Sequence, residues 1–224
     1  MTSAQKPRID GPERFQSEFS VSRETANRLI RYEELLQRWQ KAVNLVAPST
    51  LTDVWHRHFA DSAQLARLVP ADAWQIVDLG SGGGFPALVL AILLMERAQP
   101  PRFTLIESDI RKGAFLREVA RQAGAPVDIL SARIEKPETQ SKVSQVDVIT
   151  ARALAPLSRL LSLSAPFFAP STVALFLKGR DTQGEIDQAR RDWHFDIQLV
   201  ESLTDPDGRI AVVRNVAAKT EVEP

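Results

Sequence analysis

The sequence predicts an α/β fold: a seven-stranded, mostly parallel sheet that ends in an antiparallel hairpin and is preceded by a layer of helices. Three observations predict it. Short apolar or β-branched runs at 75–79, 103–107, 127–131, 146–150 and 172–177 alternate with helical text. Two further runs, 194–201 and 209–214, follow without that alternation, and no strand signal appears before Trp74. Strand–helix alternation calls for parallel strands with crossover helices on both faces, a Rossmann-like arrangement.

Taken in order, residues 1–20 are polar, carry Pro7, Gly11 and Pro12, and are expected to form a flexible arm. Residues 21–70 form the helical layer. Ser22 suits an N-cap and Glu24 the first turn, while Ala26, Leu29, Ile30, Leu36, Trp39 and Val43 recur at spacings that fit one helical face. Pro48 separates this segment from a second predicted helix at 51–68, closed by Pro70. Residues 71–224 form the sheet domain, with crossover helices expected at 87–97, 110–123, 157–168 and 182–192. The stretch "LTDPDG" supplies the Pro-Asp-Gly turn of the closing hairpin. In an open sheet of this kind ligands bind beyond the carboxyl ends of the strands, so the chemistry belongs in the loops that follow them.

Composition narrows the classes. Hydrophobic residues at 44% and charged residues at 25% are ordinary for a soluble globular chain. No apolar stretch is long enough to span a bilayer, and the first residues lack the apolar middle of a secretory signal, so a cytoplasmic protein with no membrane partner is expected. With no cysteine there is no disulfide, thiolate metal site or cysteine nucleophile, and with 3 His a zinc site is not expected. Lys+Arg and Asp+Glu are each 28, so any nucleic acid must be met by a local patch and not by overall charge.

The stretch "IVDLGSGGGFP" closes the first strand with Gly80-Ser81-Gly82-Gly83-Gly84-Phe85. A dinucleotide fingerprint has a third glycine where Phe85 stands, and a phosphate loop would end in Gly-Lys-Ser/Thr. The spacing that fits is Asp78-x-Gly80-x-Gly82-x-Gly84. An acid before bare backbone suits a ligand with a cationic aminoacyl end better than a pyrophosphate. A tight strand–helix turn with no ligand is the alternative. Glu107, at the end of the second strand in "FTLIESD", stands where an acid accepts from both hydroxyls of a ribose, or is a solvated strand-end acid.

The segments "VDLGSGGGFP", "LIESDIRKGAFLREVA", "SARIEK", "VITARALAPL" and "LFLKGR" resemble the successive motifs of class I S-adenosylmethionine-dependent methyltransferases. More narrowly, with "NLVAP" at 44–48 and "HFADSAQL" at 58–65, they resemble the RsmG family, also called glucose-inhibited division protein B. The resemblance covers nearly the whole chain past residue 20. It implies transfer of the methyl group of S-adenosylmethionine to N7 of one guanine in 16S ribosomal RNA, alone or within the small ribosomal subunit, by a monomer. It also implies that Gly80, Gly82 and Phe85 line the methionine and adenosine path, with Glu107 on the ribose. Ile134 and Glu135 would lie beside the adenine, and Arg152 near cofactor and target base as the catalytic residue.

Each of these has a plainer reading. Ile134 alone suits a core, Glu135 beside Lys136 a surface pair, and Arg152 a salt bridge to a neighbouring acid. His58, Asp61 and Ser62 contain the residue types of a hydrolase triad. They fall within about one helical turn and no strand–turn–helix elbow surrounds Ser62, so capping or packing is expected. A contact of His56, Arg57 or His58 with RNA stays open. The other basic residues of the helical layer are interleaved with acids, as on a solvated face, whereas Arg111 and Lys112 flank the expected pocket mouth and suit phosphates.

The chemistry sorts the acceptor. Guanine N7 carries an exposed lone pair and no proton, so no general base is needed. Cytosine C5 methylation normally uses a cysteine, which is absent. Exocyclic amine methylation commonly uses an Asn/Asp-Pro-Pro-aromatic loop, where this chain has "TARALAPL". A methyltransferase of small molecules or proteins, a noncatalytic binding module and a dinucleotide oxidoreductase are the alternatives.

Overall fold

The computed structural model describes residues 8–219. Its centre is a seven-stranded sheet ordered β3-β2-β1-β4-β5-β7-β6. Strands β1 (Gln75–Leu79), β2 (Arg102–Glu107), β3 (Val127–Ser131), β4 (Val148–Arg152) and β5 (Val173–Lys178) are parallel. Strand β7 (Arg209–Ala218) is antiparallel to β5, and β6 (Trp193–Glu201) is antiparallel to β7. The predicted alternation and terminal hairpin are therefore both present. The chain steps outward from β1 to β3, then returns to pair β4 with β1, which opens a crevice at the carboxyl ends of β1 and β4.

Strands covered on both faces read as continuous apolar runs, and this is why β1 is buried from Ile76 to Leu79. Alternate residues go to different cores. Ile76, Leu105, Val148, Leu175 and Val212 face one side, Val77, Ile106, Ile149, Phe176 and Val213 the other. The first side is covered by the helical layer together with α4 (Ala87–Leu94) and α5 (Ile110–Ala123), the second by α7 (Leu157–Ser164) and α8 (Thr182–Ala189). The β3–β4 connection holds only the short α6 (Pro137–Gln140). No helix among the described residues is long and apolar enough to cross a membrane.

The N-terminal segments depart from expectation. Within the expected arm, Pro12–Phe19 form helix α1, started by Pro12 in its first turn. Its anchor is Phe15, fully buried with its ring 4.7 Å from Phe19 and 5.5 Å from Trp55. Residues 1–7 lie outside the described residues. Helix α2 (Arg23–Trp39) begins as predicted, with the Ser22 hydroxyl accepting from the Thr25 amide at 3.0 Å. The predicted helix at 51–68 is instead a broken run: a 3-10 turn at Pro48–Asp53, a π turn at Trp55–Ala60, one turn of α3 (Asp61–Ala63) and a 3-10 turn at Gln64–Arg67. π turns are uncommon and cluster at functional positions. This one carries His58 towards the sheet.

Candidate active site

The loop after β1 is built by its neighbours. The amides of Gly80 and Ser81 both donate to the Ile106 carbonyl, at 2.9 and 3.2 Å. The chain then turns back through Gly82 and Gly84, at φ +54 and +89, a region that L side chains rarely adopt. Glu107 fixes the turn from below: one carboxylate oxygen accepts from the Gly82 amide at 2.8 Å, the other from the Asp109 amide at 2.8 Å. It thus ties the loops after β1 and β2 together while facing the crevice. A solvated strand-end acid would do neither.

Asp78, two residues before the loop, is fully enclosed. One of its oxygens accepts from the Thr150 hydroxyl at 2.6 Å. Burial raises its carboxyl to about 7, opposed in part by the Ser81 and Thr150 hydroxyls and by Arg152. Among the described residues, its Oδ2 and the Ser81 Oγ lack a hydrogen-bond partner. These two atoms are neighbours, and a small shift of the Ser81 hydroxyl pairs them, which leaves Ser81 as the one of the two that lines the crevice.

Arg152 is the last residue of β4, which begins and ends later than the predicted 146–150. Its guanidinium lies over the Phe85 ring, 4.8 Å from the centroid, and donates to Asp61 Oδ2 at 3.3 Å and the Arg57 carbonyl at 3.1 Å. A third contact of 2.8 Å joins it to His58 Nδ1, while His58 Nε2 lies 2.7 Å from the Thr50 hydroxyl. Burial first, then Arg152 and Arg57, lowers the imidazole to about 3. The ring is therefore neutral and accepts from Arg152 at Nδ1, which leaves its proton on Nε2 for Thr50. Ser62 donates to the His58 carbonyl at 2.7 Å, as a back-bonded helical serine, so no triad forms. The expected packing role of this segment is thus met by two side chains that hold Arg152.

The same acid reaches the far side of the crevice. Asp61 Oδ1 accepts from Thr204 Oγ1 at 2.8 Å and from Gln64 Nε2 at 3.0 Å, and Gln64 Oε1 accepts from the Leu203 amide at 2.7 Å. The turn between β6 and β7 is thereby fastened to the helical layer. Lys178, at the end of β5, pairs with Glu185 at 2.5 Å and donates to the Ala155 carbonyl at 3.0 Å, and Glu185 accepts from the Leu157 amide. This pair fixes the stretch between β4 and α7.

The crevice is a cavity of about 1100 Å³. Gly80, Gly82, Phe85, Glu107, Ile134, Glu135 and Arg152, all singled out from the sequence, line it together. One differs in detail from its plain reading, while Arg152 makes the salt bridge that its plain reading expected. Glu135 pairs with Arg159 at 3.0 Å, not with Lys136, and Phe85 is mostly buried between Tyr32 and His58. Lys112 lines the cavity, whereas Arg111 is exposed and lies 3.6 Å from Asp109. The sequence reading missed Tyr32, Gln64 and Thr204. A polar-tipped aromatic on the apolar face of α2 was the one available signal for Tyr32.

The family model described as "rRNA small subunit methyltransferase G", GidB, matches residues 25–210. The chain belongs to this family. Among curated members named ribosomal RNA small subunit methyltransferase G, that of Parvibaculum lavamentivorans is 49% identical over 94% of this chain and 92% of its own length. That of Rhodospirillum centenum is 50% identical over 92% of this chain and 91% of its own length. Solved structures agree on the fold. An O-methyltransferase from Bacillus cereus in complex with SAH aligns with a TM-score of 0.56 at 15% identity, over 82% of this chain and 90% of that one. Aeropyrum pernix fibrillarin, with natively bound S-adenosyl-L-methionine, aligns with a TM-score of 0.52 at 16% identity, over 70% of this chain and 76% of that one. The methyltransferase G family thus sets the activity class of this chain, and the distant structures its class I methyltransferase fold.

Proposed function

We propose that this chain transfers the methyl group of S-adenosylmethionine to N7 of a guanine in small-subunit ribosomal RNA. The observation that carries the reading is the glycine loop, whose Ser81 lines the same cavity as Glu107 and Arg152 and sits above the buried Asp78 carboxyl. The residues present fit the cofactor. Asp78 and Ser81 offer an acceptor and a hydroxyl to an aminoacyl end, and Gly80 and Gly82 leave the backbone bare beside it. Glu107 has spent one lone pair of each oxygen on backbone amides, which leaves one on each for a ribose diol. Ile134 is buried at the cavity wall and gives an apolar surface to a base, with Glu135 at the rim.

When bound, S-adenosylmethionine supplies an electrophilic methyl group on a sulfonium, open to in-line attack by a lone pair. The protein's part is to orient the reactants and exclude water, which contributes up to about 7–11 kcal/mol in well-aligned intramolecular cases. No group needs to remove a proton from N7. The cavity fits that requirement, because His58 has both ring nitrogens engaged and is neutral. Arg152, held on three sides, supports the wall between the glycine loop and the acceptor side. Structured RNA would present its guanine unstacked in a loop. A ribosomal RNA substrate supports a cytoplasmic protein.

Small-subunit RNA from a strain lacking the enzyme should accept tritiated methyl from S-adenosylmethionine, while RNA from the parent strain, already modified, should not. Label confined to protein or small molecules would overturn the reading.

A further inference from the structure

The glycine loop has a second support that the site chemistry does not use. Tyr32, the single tyrosine of the chain, projects from α2 and is 1% exposed. Its hydroxyl donates to the Gly83 carbonyl, and its ring stacks on Phe85 with centroids 5.4 Å apart and planes inclined by 7°. A Cβ on Gly84 would collide with the same hydroxyl, and a Cβ on Gly83 would come within 3.1 Å of the Leu45 carbonyl. The outer side of the loop is therefore moulded on the helical layer, just as its inner side is fixed by Glu107.

We propose that Tyr32 is a positioning residue for the cofactor, holding the Gly82–Gly84 bend in its binding shape. The helical layer then sets cofactor affinity through one hydroxyl, besides forming a wall of the cavity. Removing that hydroxyl leaves the buried Gly83 carbonyl without its donor, and the bend can relax by rotating that peptide. Burial raises the phenol well above its usual value, so it stays a donor throughout the neutral range. The inference rests on reading the loop as the S-adenosylmethionine cradle.

The test is calorimetric titration of the full chain with S-adenosylhomocysteine. Tyr32→Phe should raise Kd ~3–10-fold, the range that loss of one buried hydrogen bond implies, with KM for RNA unchanged. Trp55→Phe removes another hydrogen bond of the same layer, from Trp55 to Glu33 at 2.8 Å, and should lower Tm without changing Kd. Because the chain has one tyrosine, 3-fluorotyrosine labelling gives a single fluorine resonance, which should shift on saturation with S-adenosylhomocysteine. If the unmutated chain fails to bind, the cradle reading itself falls. If it binds and Tyr32→Phe binds equally well, or Trp55→Phe weakens binding as much, the Tyr32 proposal alone falls. A resonance that does not move on saturation overturns it too, even if Tyr32→Phe does not fold.

Discussion

Asp78 shows how a single buried carboxyl links stability to ligand binding. Its ordinary value is 3.8 and burial raises it to about 7, so between these values the native state holds a proton that the unfolded chain has lost. The native state is thus favoured at low pH, and this contribution fades as pH rises through about 7. Asp78→Asn removes the titration. The Tm of the variant minus that of the parent should therefore grow more positive between about pH 5 and about pH 8, and a flat difference would contradict the assignment. A cationic ligand end selects the ionised carboxylate. S-adenosylhomocysteine should accordingly bind the parent more weakly as pH falls from about 7 to about 5, by at most ~10-fold per unit, and Asp78→Asn should show no such trend.

At the scale of elements, what holds the cavity in shape is the fastening of the β6–β7 turn to the broken helical run. Gln64 is buried and spends its amide on Asp61, Ser202 and the Leu203 backbone. Gln64→Leu strands the Leu203 amide, at a cost of about 1–3 kcal/mol, and should lower Tm by about 2–12 °C. It should also raise KM for RNA ~10-fold while leaving the Kd for S-adenosylhomocysteine within ~2-fold, since the turn lies away from Glu107 and the glycine loop; equal loss on both sides would contradict this division. These fastenings are what the sequence hid. The strands were legible because β1 and its parallels are short, mostly apolar runs between helical segments, and Gly80 to Gly84 were legible because a tight turn needs far less bare backbone. The run from Pro48 to Arg67 has helical periodicity, but the reach of His58 and Asp61 to Arg152 breaks it into turns of different pitch. Helix α1 is short and polar, and its one buried anchor, Phe15, has partners that no local pattern announces.

Across the whole molecule, the topological switch at β1 and β4 divides the labour. The carboxyl ends of β1, β2 and β3 carry Gly80, Gly82, Glu107, Ile134 and Glu135, while β4, β5, the β6–β7 turn and the helical layer carry Arg152, Lys178, Thr204 and His58. One side suits a cofactor and the other an acceptor, with Arg152 and Phe85 at the junction. With a formal net charge of zero, the chain has no overall attraction for polyanions, so selectivity for RNA must come from this cavity and its rim. The most direct test is to incubate small-subunit RNA from a strain lacking the enzyme with the chain and S-adenosylmethionine, cleave chemically at N7-methylguanine, and map the breaks by primer extension. One new stop at a single guanine, absent without enzyme or cofactor, is the result expected. RNA that gains methyl label but no such stop would contradict N7 as the acceptor.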